Sequence, residues 1–116
     1  MVKFVPFVTA EDDDDLVVSF GLGQNAGTSL TLIRSPQYEP LLSDEDRGVS
    51  VNGDGQGSAE RELLILVVWD RMRVSVRSTA REYVLDISAV DPFEISEAKR
   101  VLQKMNFDSR FEMRDG

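Results

Sequence analysis

The sequence predicts an α+β fold in which a mostly antiparallel sheet of six to seven short strands is followed by one C-terminal amphipathic helix. Three observations support this prediction. Short runs rich in Val, Ile, Leu and Phe recur as far as Ser88, with polar turns between them. The connections are short, which favours antiparallel neighbours, and one helical pattern follows. The length of 116 residues is typical of one domain, so we expect residues 1–116 to share one core.

The first part of the chain contains three predicted strands. Phe4 to Thr9 is the first, and Pro6 favours an edge position for it. The acidic run from Glu11 to Asp15 predicts a turn, because its charges disfavour pairing across a sheet. Leu16 to Leu22 alternates apolar and other side chains, and Ser29 to Ser35 does the same. These two runs are therefore expected to have one buried face each.

The middle of the chain is predicted to be irregular. Pro36 to Arg47 contains two prolines and the acidic triplet Asp44, Glu45 and Asp46. A short strand is expected from Gly48 to Asn52. The composition of Gly53 to Glu60 is typical of a flexible loop.

The run from Leu63 to Trp69 is the strongest strand signal. Every position is apolar, which predicts a strand with both faces covered. We therefore expect Leu66 and Val67, which point to opposite faces, both to be buried. Trp69 fits core packing, and it also fits an anchor for a partner protein, since Trp is enriched at binding hot spots.

Two half-exposed strands are predicted next, at Met72 to Arg77 and at Tyr83 to Ser88, because apolar and polar side chains alternate in both. The basic residues Arg71, Arg73 and Arg77 are expected to share one strand face. A solvated face explains them better than a nucleic-acid site, because no aromatic side chains are interleaved and the net charge is −8.

One helix is expected after these strands. Asp91 is a favourable N-cap, Pro92 suits the first helical position, and Glu94 lies where a capping box places its carboxylate. Asn106 is a plausible end of the helix. The apolar stripe consists of Ile95, Ala98, Leu102 and Met105. Residues 108–116 are expected to be a loose tail or to form a short final strand.

The composition excludes several classes of function. The chain has no Cys and no His, so it lacks thiolate chemistry, Ser-His-Asp triads and the usual zinc ligands. The composition still allows a hydrolase that uses carboxylates alone or an enzyme with a catalytic lysine, and an uncharacterised enzyme is the third hypothesis, but we expect no enzymatic activity, no cofactor and no metal. No window is apolar enough to span a membrane, and the N-terminus lacks the pattern of a signal peptide, which favours a cytoplasmic protein.

The loop from Asn52 to Gly57 weakly resembles a calcium-binding loop. Asn52, Asp54, Gln56 and Gly57 stand at the first, third, fifth and sixth positions of an EF-hand pattern. The twelfth position is Leu63, which cannot bind calcium. A flexible loop is the better interpretation. A stand-alone domain that binds a small ligand or a metal through Asp54 and Gln56 nevertheless remains the alternative function.

A family resemblance covers roughly Ala10 to Met105. The features are a strand that ends in Arg34-Ser35, an acid-Gly-Val unit and a polar loop. The residues of the last two are Asp46, Gly48 and Val49, and then Asp54, Gln56 and Gly57. With the early acidic stretch and the C-terminal helix, the chain resembles immunity protein family 10 of bacterial polymorphic toxin systems. It departs from that pattern at two positions, with Ser50 in place of an aromatic residue and Asn52 in place of an acid.

The resemblance implies a cytoplasmic protein that binds and neutralises a cognate toxin domain by protein–protein interaction. Such toxins include nucleases with basic clefts, for which an acidic face is suited. The partner-binding residues are then predicted in the long irregular stretch, at Asp44, Glu45, Asp46 and Asp54, because long loops on a rigid sheet concentrate binding residues. Nucleic acid is not expected as a partner, and the protein is expected to be a monomer or a homodimer.

Overall fold

The structure, a computed structural model, describes residues 2–22, 29–52 and 62–115. This part of the chain is α+β, with nine strands in mostly antiparallel sheets and one α-helix. The strands are β1 (Val2–Phe4), β2 (Val8–Asp12), β3 (Leu16–Gly21), β4 (Ser29–Arg34), β5 (Ser50–Asn52), β6 (Leu64–Trp69), β7 (Arg73–Ser78), β8 (Glu82–Asp86) and β9 (Glu112–Asp115). The helix α1 spans Pro92–Met105, and two short 3-10 helices span Pro36–Leu41 and Asp44–Asp46.

The strands form two sheets. One has the order β2-β3-β4-β5 and is antiparallel throughout. The other has the order β1-β8-β7-β6-β9, with parallel pairs at both edges. The sheets meet at a corner, where the Leu64 amide donates to the Val49 carbonyl at 2.9 Å and the Val51 amide donates to the Glu62 carbonyl at 3.0 Å.

One apolar core lies between the two sheets and the helix. Phe20 of β3 and Trp69 of β6 face each other across it, with ring centroids 6.3 Å apart. Trp69 is buried, so its role in this chain is core packing, and Lys99 places its ammonium 5.3 Å from the ring centroid. The helix contributes Ala98, Val101, Leu102 and Met105 to the same core.

The predicted helix is confirmed at both ends. The Asp91 carboxylate accepts a hydrogen bond from the Phe93 amide, and Asn106 follows the last turn. Glu94 differs from the expected capping box, because its carboxylate accepts a 2.8 Å hydrogen bond from the amide of Val8. This bond ties the start of the helix to the start of β2.

The strand count is higher than the six to seven predicted. The expected strand from Phe4 to Thr9 is two strands, β1 and β2, which belong to different sheets and are separated around Pro6. The chain end is the short final strand rather than a loose tail. The expected acidic turn begins later than predicted, because Glu11 and Asp12 still pair with β3.

The prediction that both faces of β6 are covered is wrong for one face. Val67 is fully buried and points to the core, as expected. Leu66 is only partly buried, on the outer face, where its register neighbours are Arg77 and Glu112. An edge strand that pairs in parallel, β9, extends the sheet beside β6 without covering this face. Apolar composition alone did not separate the two faces.

No helix in the described part of the chain is long and apolar enough to cross a membrane.

Candidate partner-binding surface

The irregular stretch that follows β4 forms a folded surface, and we call residues 36–47 the acidic segment. Pro36 and Pro40 lie in its first 3-10 helix, and Asp44–Asp46 is its second. Proline suits the start of a helix because its φ is already fixed and it needs no hydrogen bond there. The segment returns to β5 through Gly48, which adopts a φ of +138° that other residues rarely adopt.

A buried arginine anchors the acidic segment. Arg34 is 1% exposed and occupies the inward position that follows Leu30 and Leu32 along β4. Its guanidinium binds the Glu39 carboxylate through Nε at 2.7 Å and Nη2 at 2.8 Å. It binds both oxygens of Asp108 at 2.8 Å and the Met105 carbonyl at 2.6 Å. All five donors of the guanidinium are therefore used, and β4, the acidic segment and the end of α1 are joined.

The charges of this cluster stabilise one another. The guanidinium of Arg34 holds the pKa of Glu39 below its usual range, and the Gly48 backbone amide contributes to the same shift. The pKa of Asp108 is lowered further, first by Arg34 and then by Arg110. Burial opposes ionisation of Arg34, but the hydrogen bonds to Asp108 and Glu39 raise the pKa of Arg34. Phe107 closes the cluster, with its ring centroid 4.1 Å from the Arg34 guanidinium carbon.

A second arginine binds the far end of the acidic segment. Arg110 donates through Nη2 to the Asp44 carboxylate at 2.6 Å and through Nη1 to the Asp44 carbonyl at 2.8 Å. Its Nε binds Asp108 at 2.6 Å. The chain Glu39–Arg34–Asp108–Arg110–Asp44 therefore holds both 3-10 helices against the residues that follow α1. This connection fixes the shape of the segment before any partner binds.

The acidic segment exposes side chains that the fold does not use. Leu41 is 85% exposed and Tyr38 is 59% exposed, within a surface that also carries the acidic triplet. Large apolar residues beside charges are typical of interface anchors and rims. Beside them lies a small cleft of about 210 Å³. It is lined by Ile33, Ser35, Tyr38, Glu39, Leu42 and Ser50.

The structure brings three of the four predicted partner-binding residues together. Asp44, Glu45 and Asp46 are all exposed and lie in one 3-10 turn. Asp44 is bound by Arg110, and Asp46 accepts a 2.7 Å hydrogen bond from the Ser43 hydroxyl. Asp54, like the rest of the predicted loop from Gly53 to Glu60, lies outside the described residues.

The acidic stretch from Glu11 to Asp15 forms ion pairs within the fold that the sequence did not predict. Asp12 accepts from Arg100 at 2.8 Å and from Lys104 at 2.6 Å, and these bonds lower the pKa of Asp12, with Lys104 as the largest cause. Glu11, Asp13 and Asp14 remain exposed. Asp15 is partly buried. Of the five acids, these three are therefore the best placed for long-range attraction of a basic partner.

Sequence reasoning named Arg34 only as a feature of the family resemblance and missed the other residues that hold the site together. Arg34, Glu39, Asp108 and Arg110 are separated along the chain, so no local motif joins them. One signal was present, because the alternation predicted for Ser29 to Ser35 places Arg34 on the same face as Leu30 and Leu32. An inward arginine needs carboxylate partners, but the sequence does not distinguish Glu39 and Asp108 from the other acids of the chain.

We expect no specific divalent metal site, because the loop at Asn52 to Gly57 lacks its last ligand and the chain lacks His and Cys. In residues 2–22, 29–52 and 62–115, no group of three or more metal-ligating side chains is placed to hold an ion. Because the loop lacks its last ligand and the chain lacks His and Cys, calorimetric titration with calcium, magnesium and zinc should give no saturable heat. Micromolar binding that is lost in Asp54→Asn would contradict this and favour the alternative of a metal-binding domain.

The Asp108 cluster predicts a specific response to acid. The pKa of Asp108 is lower in the folded chain than its ordinary value of 3.8, so ionised Asp108 stabilises the fold above that value. This contribution is lost as the pH falls below 3.8 toward the lowered value. Asp108→Asn should thus reduce the free energy of unfolding at neutral pH. That free energy should also fall less steeply in acid than it does for the unmodified protein. Urea unfolding at neutral and acidic pH measures both, and an unchanged slope in acid would contradict the prediction.

Comparison with known proteins gave no match to this chain among family models, curated proteins or solved structures.

Proposed function

We propose that this protein binds and neutralises a cognate bacterial toxin domain, and that the acidic segment is the contact surface. The partner-binding residues are Asp44, Glu45, Asp46 and Asp54, together with the exposed Tyr38 and Leu41. The target is a basic toxin domain, of which nucleases are one class. The protein acts by covering its target rather than by catalysis.

The observation that carries this proposal is the anchoring of an exposed segment by buried charges. Arg34 uses all its hydrogen-bond donors, and through Glu39 it holds the acidic segment, whose other side chains are mostly exposed to solvent. A surface that is fixed before binding loses less conformational entropy on association. The exposed Leu41 and Tyr38 supply apolar contact, and the neighbouring acids supply charge complementarity to a basic partner. The choice of a toxin domain as the partner rests on the sequence resemblance to immunity proteins.

The proposed function predicts that a toxin domain is encoded beside this chain, and that domain is the one to use in the test. Cells that express the toxin domain alone should stop growing, and co-expression of this chain should restore growth. Leu41→Ser with Tyr38→Ser should reduce that protection, because the two side chains are exposed and their replacement leaves the core intact. Full protection by this double variant would place the contact elsewhere, and no protection by the unmodified chain would contradict the function.

The two acidic regions should differ in binding kinetics. Glu45→Gln with Asp46→Asn leaves Asp44 on Arg110, so it removes charge from the contact while the segment stays anchored. We expect dissociation from the immobilised toxin domain to be faster by about tenfold, since these acids lose water on binding.

The matched control removes the charges of Glu11, Asp13 and Asp14 and leaves Asp12 with its two basic partners. This variant should mainly slow association and weaken the salt dependence of that rate. Surface plasmon resonance reports both rate constants. Unchanged dissociation of the Glu45, Asp46 variant would move the contact away from the acidic segment.

A further inference from the structure

The strand β1 forms an open edge of the five-stranded sheet. It is the outermost strand and pairs in parallel with β8 on one side only. All of its residues are exposed, including the apolar Val2 at 41% and Phe4 at 45%. Natural proteins usually protect an apolar edge strand with charges, a bulge or a cover, because its backbone groups can pair with another chain. The side chains of β1 leave this edge open, so it needs an explanation.

The hydrogen bonds to β8 determine which backbone groups of β1 face outward. The register pairs Phe4 with Asp86, and the Val5 amide donates to the Asp86 carbonyl at 2.9 Å. Successive residues of a strand direct their amides and carbonyls to opposite sides, so Lys3 faces β8 as Val5 does. The amide and carbonyl of Val2, and those of Phe4, therefore point away from the sheet.

These outward groups have no partner in the fold. Within the described part of the chain, the hydrogen bonds of turns, loops and side chains do not include the backbone of Val2 or Phe4. Such groups are satisfied by water unless another strand pairs with them. Their spacing, two residues apart on one side of a strand, is the spacing at which an antiparallel neighbour exchanges pairs of hydrogen bonds. The edge is therefore complementary to an extended segment.

The side chains of Val2 and Phe4 favour apolar residues in that segment. They lie two positions apart in β1 and share the outer face of the sheet. Val2 stands beside Val84, which is partly buried and is followed across the same face by Ser75 and Val68. Apolar side chains opposite Val2 and Phe4 would extend this face, and such cross-strand pairs stabilise a sheet.

Charge does not decide the occupant of this edge. Phe4 pairs with Asp86, and Arg73 lies directly opposite Asp86 on β7, so opposite charges are neighbours there. Lys3 is exposed and lies on the other face from Val2 and Phe4. An uncharged segment is therefore suited to the edge, and the backbone groups and apolar side chains determine what binds.

We propose that β1 is a docking edge for an extended, apolar segment of another protein, which adds to the sheet as an antiparallel strand. The backbone groups of Val2 and Phe4 supply affinity, and the apolar residues opposite them supply specificity, as in strand addition generally. The segment is short, because Pro6 has no amide to donate and ends the edge. The inference does not rest on the proposed toxin contact, since the acidic segment connects β4 and β5 of the other sheet.

A second copy of this chain fits the edge less well. Two β1 strands related by a two-fold axis would pair Val2 of one copy with Phe4 of the other, and Lys3 would lie directly opposite Lys3. Like charges in opposed positions destabilise a sheet, and each copy also has a net charge of −8. A separate segment with an uncharged residue opposite Lys3 avoids both costs and is the occupant that we infer.

The test follows backbone amide signals of the full chain by NMR. The probe is a short, uncharged synthetic peptide in which valine and phenylalanine alternate with threonine. We expect the amides of Val2 and Phe4 to shift saturably and to exchange more slowly with water, because both gain an acceptor. The internal control is β9, the other edge of the same sheet, whose residues Glu112, Arg114 and Asp115 are charged. Its amides should not respond.

Modified peptides separate the backbone contribution from that of the side chains. Methylation of the amide nitrogens that face β1 removes hydrogen bonds and keeps every side chain, so binding should weaken at least about tenfold. Methylation of the alternate amide nitrogens, which face solvent, is the matched control and should leave binding unchanged. Serine in place of valine and phenylalanine should weaken binding about tenfold.

Two variants of the protein locate the contact. Val2→Pro removes an outward amide without breaking a hydrogen bond of the fold, as proline on an edge strand does. It should abolish saturable binding of the peptide and leave the melting temperature close to that of the unmodified protein. Leu41→Ser with Tyr38→Ser removes exposed apolar side chains of the acidic segment and should leave peptide binding unchanged.

Three results would overturn the proposal. The first is equal binding of the peptide methylated on the side that faces β1, or full binding by Val2→Pro. The second is an equal response of the β9 amides, or no saturable binding at millimolar peptide. The third is a dimeric mass in light scattering with the amides of Val2 and Phe4 protected before peptide is added, because the occupant would then be a second copy. The toxin contact is measured separately, by growth and by binding of the toxin domain.

Discussion

Val67→Asp is expected to destabilise the protein by about 4 kcal/mol or more, because it places an unpaired charge in the core. Val67 is fully buried in β6, a strand with β7 on one side and β9 on the other. Small domains are stable by only about 5–15 kcal/mol, so this is a large share of the total. The melting temperature should fall by about 15 °C or more. Fluorescence of the single tryptophan, the buried Trp69, reports the transition.

Leu66→Asp is the matched control, since it puts the same side chain one residue earlier on the opposite face. Leu66 is only partly buried, and Arg77 lies directly opposite on β7. The new carboxylate would stay partly in water, between the cation of Arg77 and the anion of Glu112, so we expect a cost of only about 1 kcal/mol. Equal losses for the two variants would mean that the outer face of β6 is covered, and a wild-type melting temperature for Val67→Asp would contradict the core described above.

The helix and the strands β3 and β4 were predicted correctly, because each depends on interactions between residues that are close in the sequence. The helix was predicted from its N-cap at Asp91 to its end at Asn106, because capping and apolar spacing act within a few residues. The strands β3 and β4 were predicted from the alternation of their apolar residues, since one face of each is buried. In both cases the sequence period and the burial pattern agree.

The parts that were not predicted depend on contacts between distant residues. The run from Phe4 to Thr9 looks like one strand, but its two halves join different sheets, and β1 is held by pairing with β8 near the other end of the chain. A short final strand was one of the two predicted outcomes for the chain end, but the parallel pairing of β9 with β6 was not predicted. Such parallel pairs have no hairpin signal in the sequence.

The sequence predicted where the candidate site lies, but not the contacts that hold it in shape. The acidic triplet was chosen because it lies in a long irregular stretch, and the three side chains are indeed exposed together. The reason that the stretch keeps one shape is the Arg34 cluster, whose partners Glu39 and Asp108 lie five and 74 residues away. A single charged residue in an apolar alternation was the only trace of that cluster in the sequence.

Arg34 is the most deeply buried charged residue in the described part of the chain. A buried ion pair contributes little net stability when it is complete, because the loss of hydration offsets the attraction. Removing one partner is costly, because the remaining charge stays buried without compensation. Glu39 is itself buried, whereas Asp108 retains some contact with solvent, so Glu39 would bear most of that cost.

Arg34→Met should therefore destabilise the protein by about 3–5 kcal/mol, and Arg34→Met with Glu39→Gln should recover part of the loss. The matched control is Arg77→Met, since Arg77 also lies on a strand and pairs with Glu82 but both side chains are about half exposed. Its loss should stay below about 1 kcal/mol. Urea unfolding followed by Trp69 fluorescence measures the three values.

Amide exchange at Leu42, Asp46 and Arg47, whose amides bind within the acidic segment, should rise above the increase caused by global unfolding. Equal losses for Arg34→Met and Arg77→Met, or protection of these amides that is unchanged in Arg34→Met, would show that the segment keeps its shape without Arg34.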